Sequence, residues 1–235
     1  STGWAGADSG AVFKTTDVGA SWTELTTPFT ERMQLQFLDA DHGFAAVFKS
    51  FYETADGGAT WQLQAEDAFA THTTELAVGN AEFMVAISGN TTYSSADGGL
   101  NWERVLPIEY SYRNEGVSAL ADGHVWVAGS HTMVAHSSDF GMTYADQVPG
   151  NKNNLQVLDF TSMDDGWAAG FDGAVLRTTD GGETWVDLSL ENDQRIWDGL
   201  AFSADEFWIC QQNDILRTTD GGQSWEILLE NTGGT

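Results

Sequence analysis

Short apolar runs separated by polar turns recur along the whole chain, and residues 155–190 show the unit most plainly. LQVLDF is followed by the polar turn TSMDD, then by GWAAGF, AVLRTT and TWVDLSL. The runs are rich in β-formers and small residues and are bounded by Gly, Asp and Asn, which predicts four short strands. No window sustains the 3.6-residue apolar period of an amphipathic helix.

The pattern repeats through one phrase. RTTDGGETW at 177–185 returns as RTTDGGQSW at 217–225, and in looser form as TTDVGASW, TADGGATW, SADGGLNW and SSDFGMTY. The shared acids are Asp17, Asp56, Asp97, Asp139, Asp180 and Asp220, and an aromatic follows each by five: Trp22, Trp61, Trp102, Tyr144, Trp185 and Trp225. A period of about forty residues with four strands each is that of a β-propeller blade. The expected fold is all-β, one propeller domain over 1–235. Its six repeats fall at about 1–28, 29–68, 69–108, 109–149, 150–190 and 191–235. Part of a seven-bladed propeller is the alternative.

The phrase bridges the third and fourth strands of each repeat. Its Gly pair suits backbone that other residues resist, the Asp and the preceding Ser or Thr can bond nearby backbone, and the aromatic can pack on a neighbouring blade. An isolated Asp-x-Gly lacks the further carboxylates of a calcium loop. The six turns therefore read as structural braces. No metal and no cofactor are expected: among His42, His72, His124, His131 and His136 the one short spacing puts His131 and His136 on opposite faces of a predicted strand.

The Ser/Thr-x-Asp-x-Gly-x-Thr/Ser-Trp pattern resembles the Asp-box, or BNR, repeat of sialidases and other propellers. The longer match DDGWAAGFDGAVLRTTDGGETW at 164–185, with STGWAGADSGAVFKTTDVGASW at 1–22, is similar to the photosystem II assembly-factor type of Asp-box propeller. The resemblance spans essentially the whole chain and implies a propeller with an arginine-rich patch for partner contact. Arg32, Arg113 and Arg195 would be its counterparts by phase.

Composition narrows the partners. The 235 residues carry a net charge of -26, which repels phosphate and so argues against nucleic acid and anionic membrane surfaces. No transmembrane run appears, so no membrane insertion is expected, and the charge suits a periplasmic, secreted or cell-surface setting. The single cysteine, Cys210, sits in an apolar strand and reads as a small buried residue. The chain opens on STGWA, in phase with the second strand of other repeats (DDGWA at 164–168), so repeat one is expected to lack its innermost strand. That leaves 23 strands and an edge near Gly3–Ala7 that another strand could complete.

In a propeller, the links from a fourth strand to the next first strand lie on the face away from the braces. These links contain Arg32, His72, Arg113, Lys152 and Arg195, at 13 to 16 residues after each Asp-box acid. Such phasing predicts a ring of positive charge at the channel mouth, accompanied by Tyr110, Tyr112 and Trp197 as stacking surface. The ligand would be a protein or peptide, held through a carboxylate. Lys14, Arg177 and Arg217 recur three residues before an Asp-box acid, where other repeats place Glu53, Ser94 and His136; they are expected to pair across strands.

The leading functional expectation is a non-catalytic binding and assembly scaffold. One alternative is an architectural domain of a larger surface or filament protein. Another is a sialidase-like glycoside hydrolase, with Arg32, Arg113 and Arg195 on a substrate carboxylate and Tyr110 or Tyr112 beside Glu109 or Glu115. The Arg-Ile-Pro motif of sialidases is missing, and no acid carboxylate stands out.

Overall fold

The computed structural model describes residues 2–105, 114–130, 133–147, 153–211 and 214–230. Arg113, Lys152, Tyr110, Tyr112, Glu109 and His131 lie outside these. Twenty-three strands form six antiparallel sheets, five of four strands and one of three. These are the blades of a β-propeller. They pack as two compact units, residues 1–105 and 106–235.

In the first unit, blade one has three strands among the described residues: β1 (Gly3–Gly6), β2 (Val12–Thr15) and β3 (Thr23–Leu25). Blade two is β4 (Met33–Phe37), β5 (Gly43–Val47), β6 (Ser50–Thr54) and β7 (Gln62–Ala65); blade three is β8 (Thr73–Val78), β9 (Met84–Ser88), β10 (Thr91–Ser95) and β11 (Glu103–Val105). In the second unit, blade four is β12 (Asn114–Ala119), β13 (Val125–Gly129), β14 (Val134–Ser137) and β15 (Ala145–Gln147). Blade five is β16 (Leu155–Phe160), β17 (Gly166–Gly170), β18 (Val175–Thr178) and β19 (Val186–Asp187). Blade six is β20 (Ile196–Ala201), β21 (Phe207–Gln211), β22 (Asp214–Thr218) and β23 (Glu226–Glu230).

The second strands β5, β9, β13 and β17 are buried at every position. A strand covered on both faces needs no polar alternation, which is why GFAAV, MVAIS, VWVAG and GWAAG read as continuous apolar and small runs. Between blades the same contacts repeat. Trp4 stacks on Phe37, Trp126 on Phe160 and Trp167 on Phe207, with ring centroids 3.7, 3.7 and 4.9 Å apart. Each of these Trp residues belongs to one blade and each Phe to the next.

The recurrent cations complete this joint. Trp4 faces Lys14, Trp167 faces Arg177 and Trp208 faces Arg217 across paired strands, with the charge 5.0, 5.4 and 5.6 Å from the ring centroid. Such pairs add cation–π attraction to simple burial. In blade four His136 takes the cation's place and stacks on Trp126 at 4.6 Å. Some joints also reach the next Asp box: the Lys14 ammonium and Trp4 Nε1 both donate to the Gly57 carbonyl, and Trp126 Nε1 donates to that of Gly181.

Every Asp box has one geometry. In blade five the Thr178 hydroxyl donates to Asp180 Oδ1 at 2.8 Å and accepts from the Gly182 N–H at 2.8 Å. The same carboxylate accepts from the Thr184 N–H at 2.8 Å and the Thr184 hydroxyl at 2.6 Å. The two glycines stand at φ 72° and 89°, the left-handed region that disfavours a side chain. Val18 and Phe140 fill the first of these positions in blades one and four, at φ 63° and 60°. The hydroxyl bonds and backbone N–H bonds of Ser21, Thr60, Thr143 and Ser224 bring Asp17, Asp56, Asp139 and Asp220 down to about 2. The carboxylates are thus occupied by their own turns.

One expectation needs correction, and one contact is new. Cys210 is exposed rather than buried. It shares a face with Asp198 and Ile215, the face equivalent to that by which Val157, Ala169 and Val175 of blade five lie buried under blade six; no described blade of the unit covers it. His136 sits on β14, but its partner is His124, whose Nδ1 lies 2.9 Å from His136 Nε2.

A clamped arginine on the face opposite the Asp boxes

Two sets of loops lie at the end of the blades away from the braces. The hairpin joining second and third strands bonds the links on either side of it. In the second unit the Phe171 N–H donates to the Asn154 carbonyl at 3.0 Å and the Gly173 N–H to that of Gln194 at 2.7 Å. In the first unit the Lys49 carbonyl accepts from the Phe69 N–H, and that of Phe48 from the Thr73 N–H. The Asp boxes bond the loops of the other end, as in Gly181 N–H to Asp164 and Gly221 N–H to Asp205.

The inner strands carry a second period. β8, β12, β16 and β20 each have a register shift at one residue, namely Thr74, Glu115, Gln156 and Trp197. A bulge re-aims the side chain of the extra residue. In blades five and six it brings two of them to Arg195. Arg195 Nε donates a short hydrogen bond to Gln156 Oε1. Its guanidinium carbon lies 4.2 Å from the Phe171 ring centroid and 3.8 Å from that of Trp197. The cation therefore lies over two rings and is tethered at one edge by a neutral acceptor. No carboxylate pairs with it among the described residues. Trp197 itself is 53% exposed.

Of the predicted site residues, Arg195 and Trp197 come together. Arg32 and His72 belong to the first unit and are both exposed. Arg32 pairs with Asp8 at 3.6 Å, and both side chains are largely in solvent, so that cation already has a carboxylate, though a weakly held one. Arg113, Lys152, Tyr110 and Tyr112 lie outside the described residues. Gln156 and Phe171 were not anticipated. Their signals were present: Gln156 stands 41 residues before Trp197, and Phe171 lies in the hairpin that must face the Arg195 link.

Further along the same inner strands, Asp159 is half-buried and accepts from the Ala201 N–H at 2.8 Å. Burial, aided by the neighbouring Asp198 charge, raises its carboxyl to about 6 against the lowering effect of that bond. Burial also raises Asp198. The Asp159 bond is one of a set at equivalent positions: Gln36 Oε1 accepts from the Val78 N–H and Ser118 Oγ from the Phe160 N–H. These side chains clasp successive inner strands, which assigns Asp159 to blade registration.

Comparisons with known proteins agree with this architecture. Residues 145–232 match the model of the photosynthesis system II assembly factor YCF48 family. The photosystem II assembly lipoprotein Ycf48 of Synechococcus sp. (strain CC9902) is 24% identical over 192 residues, covering 78% of this chain and 57% of the relative. The chloroplastic photosystem II stability/assembly factor HCF136 of Oryza sativa subsp. japonica is 22% identical, covering 81% and 58%. The chain thus spans little more than half the length of these relatives. Among solved structures, YCF48 bound to a D1 peptide superposes with TM-score 0.73 at 23% identity, over 93% of this chain and 75% of that one. An ancestral GH74 enzyme superposes with TM-score 0.71 at 14% identity, over 97% and 37%, a likeness of fold. The chain is a β-propeller with Asp-box (BNR) repeats, and over residues 145–232 those repeats match the photosystem II assembly-factor type.

Proposed function

We propose that the chain is a non-catalytic assembly scaffold that binds a peptide segment of a partner protein at the face opposite the Asp boxes, through a carboxylate on Arg195. The observation that carries this reading is the clamp itself. Gln156 takes Nε, and the flanking rings hold the guanidinium plane. The outer nitrogens are left for an acceptor, and a carboxylate suits them in paired hydrogen bonds. That a similar propeller is known with a bound D1 peptide supports a peptide as the ligand class. Arg113 and Lys152, with Tyr110 and Tyr112, stand at the same phase of neighbouring repeats and are proposed to extend the surface. Arg32 and His72 hold that phase in the first unit. An extracytoplasmic setting fits the acidity of the chain and the lipoprotein relatives.

The test is calorimetric binding of short peptides ending in a free acid or in an amide. The acid form should bind and the amide should lose most of the affinity. Gln156→Glu should weaken acid-form binding by supplying an internal carboxylate to Arg195, and Arg113→Ala with Arg195→Ala should abolish it while the far-ultraviolet spectrum stays unchanged. Equal binding of acid and amide would sink the reading. Hydrolysis of a fluorogenic sialoside or of xyloglucan by the chain would sink the non-catalytic assignment.

A further inference from the structure

The two rings differ in exposure. The Arg195 guanidinium lies over both Phe171 and Trp197, and of the two Trp197 is the more exposed. One face of its indole is covered by the cation, so its free surface lies on the opposite face and along the ring edge. A rigid exposed indole is a stacking platform, because its ring is already ordered and little rotamer entropy remains to be lost on binding.

We infer that the site reads two features of its peptide: a carboxylate bonded by Arg195 and, two residues before it along an extended chain, a flat side chain stacked on the free face of Trp197. This rests on the peptide-binding reading above and adds to it a residue class and a spacing. The spacing follows from the layers. The guanidinium carbon, opposite which a carboxylate would lie, is 3.8 Å from the indole centroid. A ring stacked on the far face adds a van der Waals thickness of about 3.5 Å, so carboxylate and ring stand roughly 7 Å apart. An extended peptide advances about 3.3–3.4 Å per residue. Two residues span the gap; one falls short and three overshoot. Aromatic side chains and proline have the flat surface required. The cation draws π density toward its own face of the indole, so the free face suits the flat, electron-rich face of an aromatic ring.

The experiment uses the whole chain and four probes measured by calorimetry. They are acetyl-Gly-Gly-Tyr-Gly-Gly with a free C-terminus, the same peptide amidated, its Tyr→Ala analogue, and acetyl-Gly-Gly-Gly-Gly-Tyr. The first should bind about five- to tenfold more tightly than the Ala analogue and the terminal-Tyr peptide. Trp197→Phe, which keeps a ring under Arg195, should keep both differences, whereas Trp197→Ala should erase the difference between Tyr and Ala peptides and, by removing one ring from Arg195, also weaken acid-form binding. If Tyr and Ala peptides bind the unchanged protein alike, or the terminal-Tyr peptide binds as well as the first, the two-residue rule is wrong while the carboxylate reading stands. If acid and amide bind alike, or no peptide binds, the carboxylate reading falls and this inference falls with it.

Discussion

Replacing Thr178 by valine removes one hydroxyl from one Asp box and leaves the shape of the side chain almost unchanged. Thr178 is 1% exposed. Its oxygen is the acceptor for the Gly182 N–H at 2.8 Å and the Asp180 N–H at 3.3 Å, and its hydrogen goes to Asp180 Oδ1. After substitution the Asp180 carboxylate keeps its two bonds from Thr184, so the loss there is small. The Gly182 N–H is buried and loses its acceptor. An unsatisfied buried donor costs about 1–3 kcal/mol, and the better strand propensity of valine returns a few tenths. The expected loss is about 2 kcal/mol, or roughly 4–8 °C in Tm for a chain of this size. Thr179 is the internal control: it is the next residue, it is exposed, and Thr179→Val should stay within about 0.5 kcal/mol. Urea titrations of both variants, with peptide binding measured beside them, make the comparison. Equal stability of the two would refute the brace, as would an intact fold that had lost its binding.

Three other outcomes follow from named groups. Peptide binding should weaken steadily between about 50 and 500 mM salt, since a partly exposed charge pair is screened; salt-independent affinity would exclude Arg195 as the main anchor. The His124–His136 hydrogen bond should make the second unit acid-sensitive. Burial, then the neighbouring His124, lowers His136 below its ordinary range, so the stability it contributes is present above about pH 6.5 and is lost as pH falls below it. His136→Gln should flatten that fall in denaturant midpoints measured from pH 7.5 to 5. Asp159 has the opposite sign: a carboxyl raised to about 6 favours the fold when protonated and loses that contribution as pH rises through 6. Asp159→Asn keeps an acceptor for Ala201 and should stabilise the protein at pH 8 by on the order of 2 kcal/mol. That gain should shrink towards nothing near pH 4, and a variant less stable than its parent at pH 8 would contradict it.

How far the chain could be read depended on whether a feature repeats. The blades were legible because a forty-residue period carries its own redundancy: TTDGGETW and TTDGGQSW specify the same turn through side chain to backbone bonds that are local in sequence. The three described strands of blade one were legible for the same reason, in phase with the second to fourth strands of the other blades. Cys210 was misjudged because its strand looks like every other buried second strand. Whether a blade face is covered depends on the next sheet, which no residue of FWICQ encodes. His124 and His136 escaped notice because their approach is diagonal across two paired strands, while sequence spacing reveals neighbours along one strand.

The clamp was half legible, and the missing half explains what distinguishes a site from a surface charge. Phase placed Arg195 in a link on the correct face, and by that criterion Arg32 was its equal. What separates them is the company that the inner-strand bulges supply. Blade two has no register shift in β4, and Arg32 ends in solvent beside a still more exposed Asp8. Blades five and six each have one, and the two extra residues, Gln156 and Trp197, both turn to Arg195. A neutral acceptor and two rings orient a guanidinium without neutralising it, whereas a carboxylate orients and neutralises together. That difference can be measured without a ligand. Arg195 Nε should exchange its hydrogen slowly and show a restricted nitrogen-15 signal, and Arg32 Nε should exchange at the rate of a free side chain. Gln156→Ala should bring the Arg195 signal to the Arg32 value. If the two signals already match in the unchanged protein, the clamp does not order its cation, and the argument for Arg195 over Arg32 fails.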